Sequence, residues 1–340
     1  MGAKPAGGDM RLGIAGTGRM AERMIACIAH RPGIIVTAIA SASPDRATAL
    51  AARYGAKAFA SVTDLACHSG VDAVYVAGAN ATHADAALAA IAAGKPVLVE
   101  KPLTVTPDDT MALIDAARAA RVLLVENLWT LTLPATRALI RQDGPGLLTF
   151  SFGYPTTQTA LYAPDAGVLR DRGVYGFALA LHLFGPVETL RATLRHDGAV
   201  DVAGLVQMRH TSGDLSQITV ALDRLLPNTI TLSGTHGLTT LSPSIGSETL
   251  THQTARPDTG PAKPSRLKSI PALRALNRWR TAPRAQTYSY GADPYLPMLD
   301  HFTALIRDGK TESPLIPLSL SGDIQTLIAR ALVADTGGPP

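Results

Sequence analysis

The stretch Gly16-Thr17-Gly18-Arg19-Met20-Ala21 decides the fold, because it joins a short apolar strand at residues 11–15 to a helix that runs to about residue 31. It follows the pattern G-x-G-x-x-G/A, with alanine in the third place. Gly16 permits a tight turn, and Gly18 lets a pyrophosphate approach the backbone. Ala21 lets the helix pack closely on the strand, and the helix N-terminus favours an anion. The stretch therefore predicts a dinucleotide-binding unit.

Strands and helices alternate after this turn. Apolar strand segments are predicted at residues 34–40, 71–77, 97–100 and 122–126. Helix starts are predicted at Ser43-Pro44 and Thr106-Pro107, where serine or threonine precedes proline. Two more are predicted at the capping boxes of Ser61 with Asp64 and of Thr82 with Asp85. The alternation implies six strands in a doubly wound parallel sheet, which is an α/β fold.

The end of the second strand bears on the choice between NAD and NADP. NAD sites usually place an acidic residue there to bind the ribose 2′-hydroxyl, whereas this chain has Ala40-Ser41-Ala42-Ser43. Without that carboxylate, Ser41, Ser43, Arg46 and Arg19 can hydrogen-bond and neutralise a 2′-phosphate. The pattern favours NADP, with NAD still possible. Alternatively, Arg46 is simply a solvated helix residue.

A second decisive stretch is Val97-Leu98-Val99-Glu100-Lys101-Pro102, where a buried strand runs into a carboxylate and an ammonium. Pro102 biases Lys101 toward extended geometry, so the lysine projects from a strand end. Ligands of parallel α/β sheets bind just beyond such ends. Lys101 is therefore a candidate for polarising an oxygen on a bound molecule. The alternative is that Glu100 and Lys101 are ordinary polar residues at the end of a strand.

Three segments together resemble the Gfo/Idh/MocA oxidoreductase family: the glycine turn, Ala77-Gly78-Ala79-Asn80-Ala81-Thr82-His83, and residues 92–102. The resemblance implies that Lys101 lies beside the nicotinamide and that Asn80, His83 and Glu100 lie near the cofactor. Gly78 and Ala79 depart from the family pattern, which usually has threonine and proline there.

The same resemblance implies the domain organisation. A flexible tail at residues 1–9 precedes a Rossmann domain at 10–127. An α+β domain with an open, mainly antiparallel sheet follows at 128–334, and its last helix can pack back on the first domain. Strand-like runs at 147–154, 187–194, 202–210, 215–222, 229–233 and 238–241 favour such a sheet, because short turns join consecutive strands. In related proteins its outer face forms a dimer or tetramer, so a homo-oligomer is expected.

Asp171 and Tyr175 are four residues apart, which places them on one face of a helix. By resemblance, Tyr175 donates and accepts the proton, and Asp171 orients or binds a hydroxyl. A nearby Lys101 is expected to lower the pKa of Tyr175 by favouring phenolate. The alternative is a tyrosine on the helix surface, after an aspartate that the helix dipole favours.

Two further residues are weaker candidates for contact with the substrate. Trp129 either lines the pocket or fills the core, and Leu131 stands where a similar subgroup usually has arginine. His182 lies two turns beyond Tyr175 on the same helix face, between two leucines. It is predicted to sit in the core or in the pocket wall.

Composition excludes several other classes of protein. The chain has 340 residues, 46% of them hydrophobic, two cysteines and a net charge of +4, which suits two globular domains and does not argue for nucleic acid. Neither a metal-site spacing nor an apolar run long enough for a bilayer is present. The N-terminal stretch has no signal-peptide core, so a cytoplasmic location is expected. A basic segment at 261–284 has apolar residues at helical spacing, which indicates either docking on its own domain or contact with an acidic partner, a phosphorylated substrate or a membrane surface.

These observations predict an NADP-preferring oxidoreductase that transfers a hydride between nicotinamide and a polyhydroxy substrate, such as a sugar, a polyol or a related secondary alcohol. Two alternatives remain open. One is a cofactor-binding sensor without turnover, which has no need of both Lys101 and Tyr175. The other is a hydrolase or epimerase that uses bound NAD as a transient redox aid.

Overall fold

The computed structural model describes residues 8–140, 144–255, 271 and 282–336. Its first sheet has six parallel strands in the order β3-β2-β1-β4-β5-β6. The strands are β1 Met10–Ala15, β2 Ile34–Ala40, β3 Lys57–Phe59, β4 Ala73–Val76, β5 Val97–Val99 and β6 Leu124–Glu126. Five helices connect them: α1 Arg19–Ile28, α2 Pro44–Tyr54, α3 Val62–Cys67, α4 His83–Ala92 and α5 Pro107–Ala120. The predicted doubly wound parallel sheet is confirmed. No predicted strand segment covers β3, because three residues at a sheet edge are too few to show an alternating pattern of apolar and polar residues.

Side-chain caps mark the beginning of two of these five helices, α3 and α5. The hydroxyls of Ser61 and Thr106 accept hydrogen bonds from the main-chain N–H groups of Asp64 (3.0 Å) and Asp109 (3.1 Å), as predicted. The predicted capping box at Thr82 is wrong. Residues Asn80–Thr82 already form a 3₁₀ turn, and the Thr82 hydroxyl donates to the carbonyl of Ala79 instead (2.8 Å). The chain is helical before Thr82, so its side chain cannot reach forward to cap α4.

The second sheet has eight strands in the order β14-β13-β12-β11-β7-β10-β9-β8. Only the β7–β10 pair is parallel, so the sheet is mainly antiparallel, as predicted. The strands are β7 Leu147–Gly153, β8 Val187–Asp197, β9 Val200–His210, β10 Leu215–Ala221, β11 Ile230–Gly234, β12 Gly237–Leu241, β13 Thr249–Thr254 and β14 Arg284–Thr287. The helices are α6 Pro134–Arg137, α7 Val174–Phe184, α8 Leu296–Arg307 and α9 Leu318–Thr336, and a π-helical turn at Leu169–Gly173 runs directly into α7.

Helix α9 holds the halves of the molecule together, and helix α7 packs on the second sheet. Helix α7 packs so closely on the second sheet that a β-carbon on Gly176 would lie 2.9 Å from Phe150 and 3.0 Å from Ile218. Helix α9 packs against α5 and β6 on one side and against α7 and β8 on the other. The carboxyl ends of β5 and β6 therefore face the start of α7 across a cleft between the two sheets.

Two predicted segments lie wholly or mostly outside the described residues. They are the tail at 1–9, of which only residues 8 and 9 are described, and most of the basic segment at 261–284. Of the latter, the described part includes Arg284, which begins the edge strand β14.

Candidate active site

The glycine turn after β1 fits a dinucleotide. Gly16 has φ of +133°, and a β-carbon there would lie 2.5 Å from the carbonyl oxygen of Ala77, so only glycine is accommodated. Gly18 is exposed at the N-cap of α1, makes no side-chain cap bond and has open space where a β-carbon would be. Met20 packs against the core and fixes the first turn of the helix. The free N-terminus of α1 is therefore shaped to receive a pyrophosphate.

Hydroxyl groups occupy the end of β2, where an acidic residue is usual. Thr17 donates to the hydroxyl of Ser41 (3.2 Å), which also accepts the main-chain N–H of Ser43 (3.2 Å). Arg19 and Arg46 are both exposed near this loop. The Ser43 side chain makes no cap bond to α2. This set of neutral donors and nearby cations fits a phosphorylated ribose.

Lys101 brings the two halves of the cleft together. Its ammonium donates to Oδ1 of Asp171 (2.6 Å) and to the main-chain oxygen of the same residue (2.8 Å). The side chain is only 13% exposed, and Nζ lies 5.3 Å from the centre of the Tyr175 ring. An ammonium has three N–H donors, so one is left for a further oxygen. The predicted position of Lys101 just beyond a strand end is confirmed.

Tyr175 is buried in the first turn of α7, and its hydroxyl oxygen accepts the indole N–H of Trp129 (3.2 Å). Burial, and then the carboxylates of Glu100 and Asp171, raise the pKa of Tyr175 well above its usual value, while the Trp129 hydrogen bond acts in the opposite direction. The prediction that Lys101 lowers this pKa is wrong. The ammonium is paired with Asp171, and burial penalises phenolate more than that paired charge favours it.

Glu100 points into the core beneath Lys101. Its Oε1 accepts hydrogen bonds from the hydroxyl of Tyr75 and from the amide of Asn127 (2.5 Å). All three side chains are buried. The carboxylate therefore anchors the turn that carries Lys101, and its contact with a cofactor stays a prediction.

His83 and Asn80 hold the neighbouring turn. The His83 ring is buried, with Nδ1 2.8 Å from the carbonyl of Pro102 and Nε2 3.3 Å from that of Gly78. Burial lowers the pKa of His83, which favours the neutral ring, and the single N–H of that ring can donate to only one of the two carbonyls. The amide of Asn80 donates to the main-chain oxygen of Asp165, which belongs to the other half of the molecule (3.1 Å). Both side chains support the cleft through backbone oxygens.

The structure places the two weaker candidates for substrate contact, Trp129 and His182, in different surroundings. Trp129 is buried and in contact with Tyr175, with the two rings edge to face and their centres 6.3 Å apart. His182 is exposed near the end of α7, where partial burial of its ring, and then the nearby Arg137, lower its pKa. Its predicted core position is wrong, and the structure does not bring it to Lys101 and Tyr175.

Sequence reasoning missed Tyr295. Its ring stacks on Trp129 (centres 4.5 Å apart, 26° between planes), and the guanidinium of Arg23 lies 4.9 Å from its centre. Burial, and then Tyr175 and Glu100, raise the pKa of Tyr295, while Lys101 and Arg23 act in the opposite direction. Arg23 also forms a two-bond ion pair with Asp293 (2.5 and 2.9 Å). Tyr295 lies far along the chain from its partners, so no spacing in the sequence indicates these contacts.

The part of the chain that the structure describes has no cluster of three or more histidine, cysteine, aspartate or glutamate residues suited to a metal ion. Within the same residues, no helix has the length and apolar character needed to span a bilayer.

Comparison with known proteins agrees with this geometry. Residues 10–128 match the profile of an oxidoreductase family with an NAD-binding Rossmann fold, and residues 137–240 match the GFO/IDH/MocA C-terminal domain. The chain is 30% identical to a mouse (Mus musculus) trans-1,2-dihydrobenzene-1,2-diol dehydrogenase over 67% of this chain and 73% of that enzyme. It is 37% identical to a dTDP-3,4-didehydro-2,6-dideoxy-alpha-D-glucose 3-reductase from Streptomyces violaceoruber, over 57% of this chain and 61% of that enzyme.

A solved structure has the same fold over nearly the whole length. It is that of a 3-ketoreductase from Actinomadura kijaniata in complex with NADP and TDP-benzene, with a TM-score of 0.78 and 24% identity. The similarity covers 96% of this chain and 98% of that one.

Proposed function

The chain belongs to the Gfo/Idh/MocA family of NAD(P)-dependent oxidoreductases, and we propose that it prefers NADP and reduces or oxidises a sugar, a polyol or a related secondary alcohol. The observation that carries the proposal is the convergence of Lys101, Asp171 and Tyr175 just beyond the carboxyl end of β5. The similar enzymes, a dTDP-sugar reductase and a dihydrodiol dehydrogenase, support chemistry at a CH–OH group.

Nicotinamide, when bound, supplies or accepts the hydride. The protein supplies the charge and the proton. Lys101 keeps two of its N–H groups on Asp171 and directs the third at the reacting oxygen of the substrate. A fixed cation in a water-poor cleft stabilises negative charge as it develops on that oxygen.

Tyr175 acts as the proton donor in the direction of carbonyl reduction. Its raised pKa keeps the phenol protonated at neutral pH. Its oxygen accepts the hydrogen bond from Trp129, so its own O–H remains free for the substrate. A protonated phenol next to an ammonium is the right pair for completing an alcohol from a carbonyl.

The preference for NADP rests on the end of β2. The hydroxyl of Ser41 accepts hydrogen bonds from Thr17 and from the main-chain N–H of Ser43. This hydroxyl is uncharged and does not repel a phosphate. Arg19 and Arg46 add positive charge on the exposed side. We assign these residues, with Gly16 and Gly18, to cofactor binding.

The outer face of the second sheet is proposed as the surface of self-association. The strand registers pair Leu215 with Leu147 and place Leu205 opposite Thr219, so the three leucines share one face. They are 46%, 43% and 39% exposed. Leu205→Glu is expected to dissociate a dimer, which sedimentation velocity measures, and an unchanged mass would contradict this interface.

Turnover with a panel of sugars, polyols and secondary alcohols tests the function, with NADP and NAD compared and reduced nicotinamide followed by absorbance. Lys101→Met is expected to lower kcat/KM about 1000-fold while cofactor binding persists. Lys95→Met is the matched control, because Lys95 binds a carbonyl at the opposite end of β5. Tight cofactor binding without turnover in the native chain would instead favour a sensor.

A further inference from the structure

Arg172 is an almost fully buried arginine directly after Asp171, with 1% of its surface exposed. Its guanidinium carbon lies 4.0 Å from the centre of the Tyr154 ring and 5.4 Å from that of Phe152. Nη1 donates to the carbonyl oxygens of Tyr154 (2.9 Å) and Ala221. These contacts hold the head group at the ends of β7 and β10, below the π-helical turn.

The other donors of Arg172 are not satisfied. Within the described residues, Nε and Nη2 are buried and have no hydrogen-bond partner. Burying an arginine with unused N–H groups is costly, and an apolar side chain of similar size fills such a space at less expense. Packing alone therefore does not account for this residue.

The carboxylate of Asp171 lies between Lys101 and Arg172. Oδ1 is 2.6 Å from the ammonium of Lys101, and Oδ2 is 3.6 Å from Nε of Arg172. Arg19 at the start of α1 also acts on this carboxylate through its charge, and the carboxylate in turn acts on Tyr175 in α7. Burial raises the pKa of Asp171, but Lys101, Arg172 and Arg19 together outweigh burial and hold the pKa below its usual value.

We propose that Arg172 is a positioning residue that shares the charge of Asp171 with Lys101, so that the ammonium keeps a net positive field for the reacting oxygen. The proposal rests on the function proposed above. With Lys101 alone, the ammonium and the carboxylate form a neutral pair. With Arg172, the three groups carry a net charge of +1, and Oδ2 has a cation of its own while Oδ1 stays bound to Lys101.

The unpaired Nε supports this division of charge. A separation of 3.6 Å is an ion pair without a hydrogen bond, so a small shift of Oδ2 toward Arg172, with Oδ1 still on Lys101, completes the bond to Nε. The neighbouring Arg170 offers a contrast. It lies in the same turn, but its acidic neighbours are Asp201 and Asp165, and Asp171 is not among them.

The experiment compares Arg172→Gln, which removes the charge and keeps hydrogen-bond donors, with Arg172→Lys, which restores the charge. Arg170→Gln is the matched control. The titration of Asp171 is followed by carbon NMR of aspartate-labelled protein, and the resonance is identified by its absence in Asp171→Asn. The acid limb of kcat/KM is measured in parallel.

We expect Arg172→Gln to raise the midpoint of the Asp171 titration by about one pH unit, to move the acid limb equally and to lower kcat/KM about tenfold or more. Arg172→Lys should recover most of both shifts, and Arg170→Gln should cause neither. A purely structural role changes thermal stability but moves neither midpoint.

An unmoved Asp171 midpoint in a folded Arg172→Gln protein would overturn the proposal even if turnover fell. Equal shifts in Arg172→Gln and Arg172→Lys would also overturn it, because charge would not be the cause. Absence of turnover in the native chain would refute the proposed function instead, and the NMR titration would still decide whether Arg172 shares the charge.

Discussion

The indole N–H of Trp129 donates to the phenolic oxygen of Tyr175 across 3.2 Å. This bond joins the segment that leaves β6 to the first turn of α7, so it crosses from one half of the molecule to the other. It occupies a lone pair of the phenol and leaves the phenolic hydrogen free. The same indole is stacked on Tyr295, which fixes its plane.

Replacing Trp129 by phenylalanine tests the importance of this bond. The N–H stabilises phenolate, so Trp129→Phe should raise the pKa of Tyr175 further and lower kcat for alcohol oxidation about tenfold. The basic limb of the pH profile should move to higher pH. In a Tyr175→Phe background the same change should leave the pH profile as it is, and a shift there would place the effect on another group.

An acidic residue at the end of β2 should reverse the choice of cofactor. Ser41→Asp puts a carboxylate where the hydroxyls of Thr17 and Ser41 meet. It repels a 2′-phosphate and accepts a hydrogen bond from a 2′-hydroxyl. The ratio of kcat/KM for NADP to that for NAD should fall by about tenfold or more. An unchanged ratio would mean that the phosphate lies away from this loop.

Alanine substitutions at Gly167 and Gly213 distinguish the cost of backbone strain from the cost of steric overlap. Both have left-handed φ, at +90° and +86°. A β-carbon on Gly167 would overlap Oδ1 of Asp201, whose Oδ2 accepts the N–H of Leu169 (2.8 Å), whereas Gly213 has open space. In urea titrations, Gly213→Ala should cost about 1 kcal/mol of unfolding free energy, and Gly167→Ala about 3 kcal/mol. Equal losses would contradict the overlap with Asp201.

Glu126 should make stability depend on pH. Burial raises its pKa to about 7, while the nearby Ser321 hydroxyl and the N–H of Leu103 act in the opposite direction. Between about pH 4.5 and pH 7 the folded protein binds more protons than the unfolded chain, so the free energy of unfolding falls as pH rises.

Glu126→Gln should remove this slope and should be more stable than the native chain at pH 8 by about 2 kcal/mol. The two proteins should be similar at pH 4.5. Glu188→Gln, on the exposed strand β8, serves as the control, and the measurement is thermal unfolding across this pH range. A native slope that persists in Glu126→Gln would assign it to another group.

Two ion pairs join α1 and the turn after it to the second half of the chain, and they should differ in strength. Asp293 is buried and forms two bonds with Arg23, whereas Asp300 is exposed and pairs with Arg31. Asp293→Asn should cost about 2 kcal/mol of unfolding free energy, and Asp300→Asn about 0.5 kcal/mol or less. Added salt should weaken the second pair more, because it is exposed.

Local features were readable from the sequence, and contacts between distant segments were not. The glycine turn, the caps at Ser61 and Thr106, and Lys101 beyond β5 each depend on a few consecutive residues. The stack of Tyr295 on Trp129 and the orphan donors of Arg172 depend on how the two sheets meet. The error over the pKa of Tyr175 has the same origin, since burial and the position of Glu100 are properties of the assembled cleft.

Helix α9 is synthesised after every other described element, yet it covers α5 and β6 near the beginning of the chain. Leu318 belongs to the same apolar cluster as Val99 and Leu113. Until α9 is synthesised, part of the core of the nucleotide-binding half therefore stays exposed to solvent and to chaperones. A fragment that ends at residue 127 should consequently aggregate and be degraded quickly. Adding α9 as a separate peptide should reduce both effects.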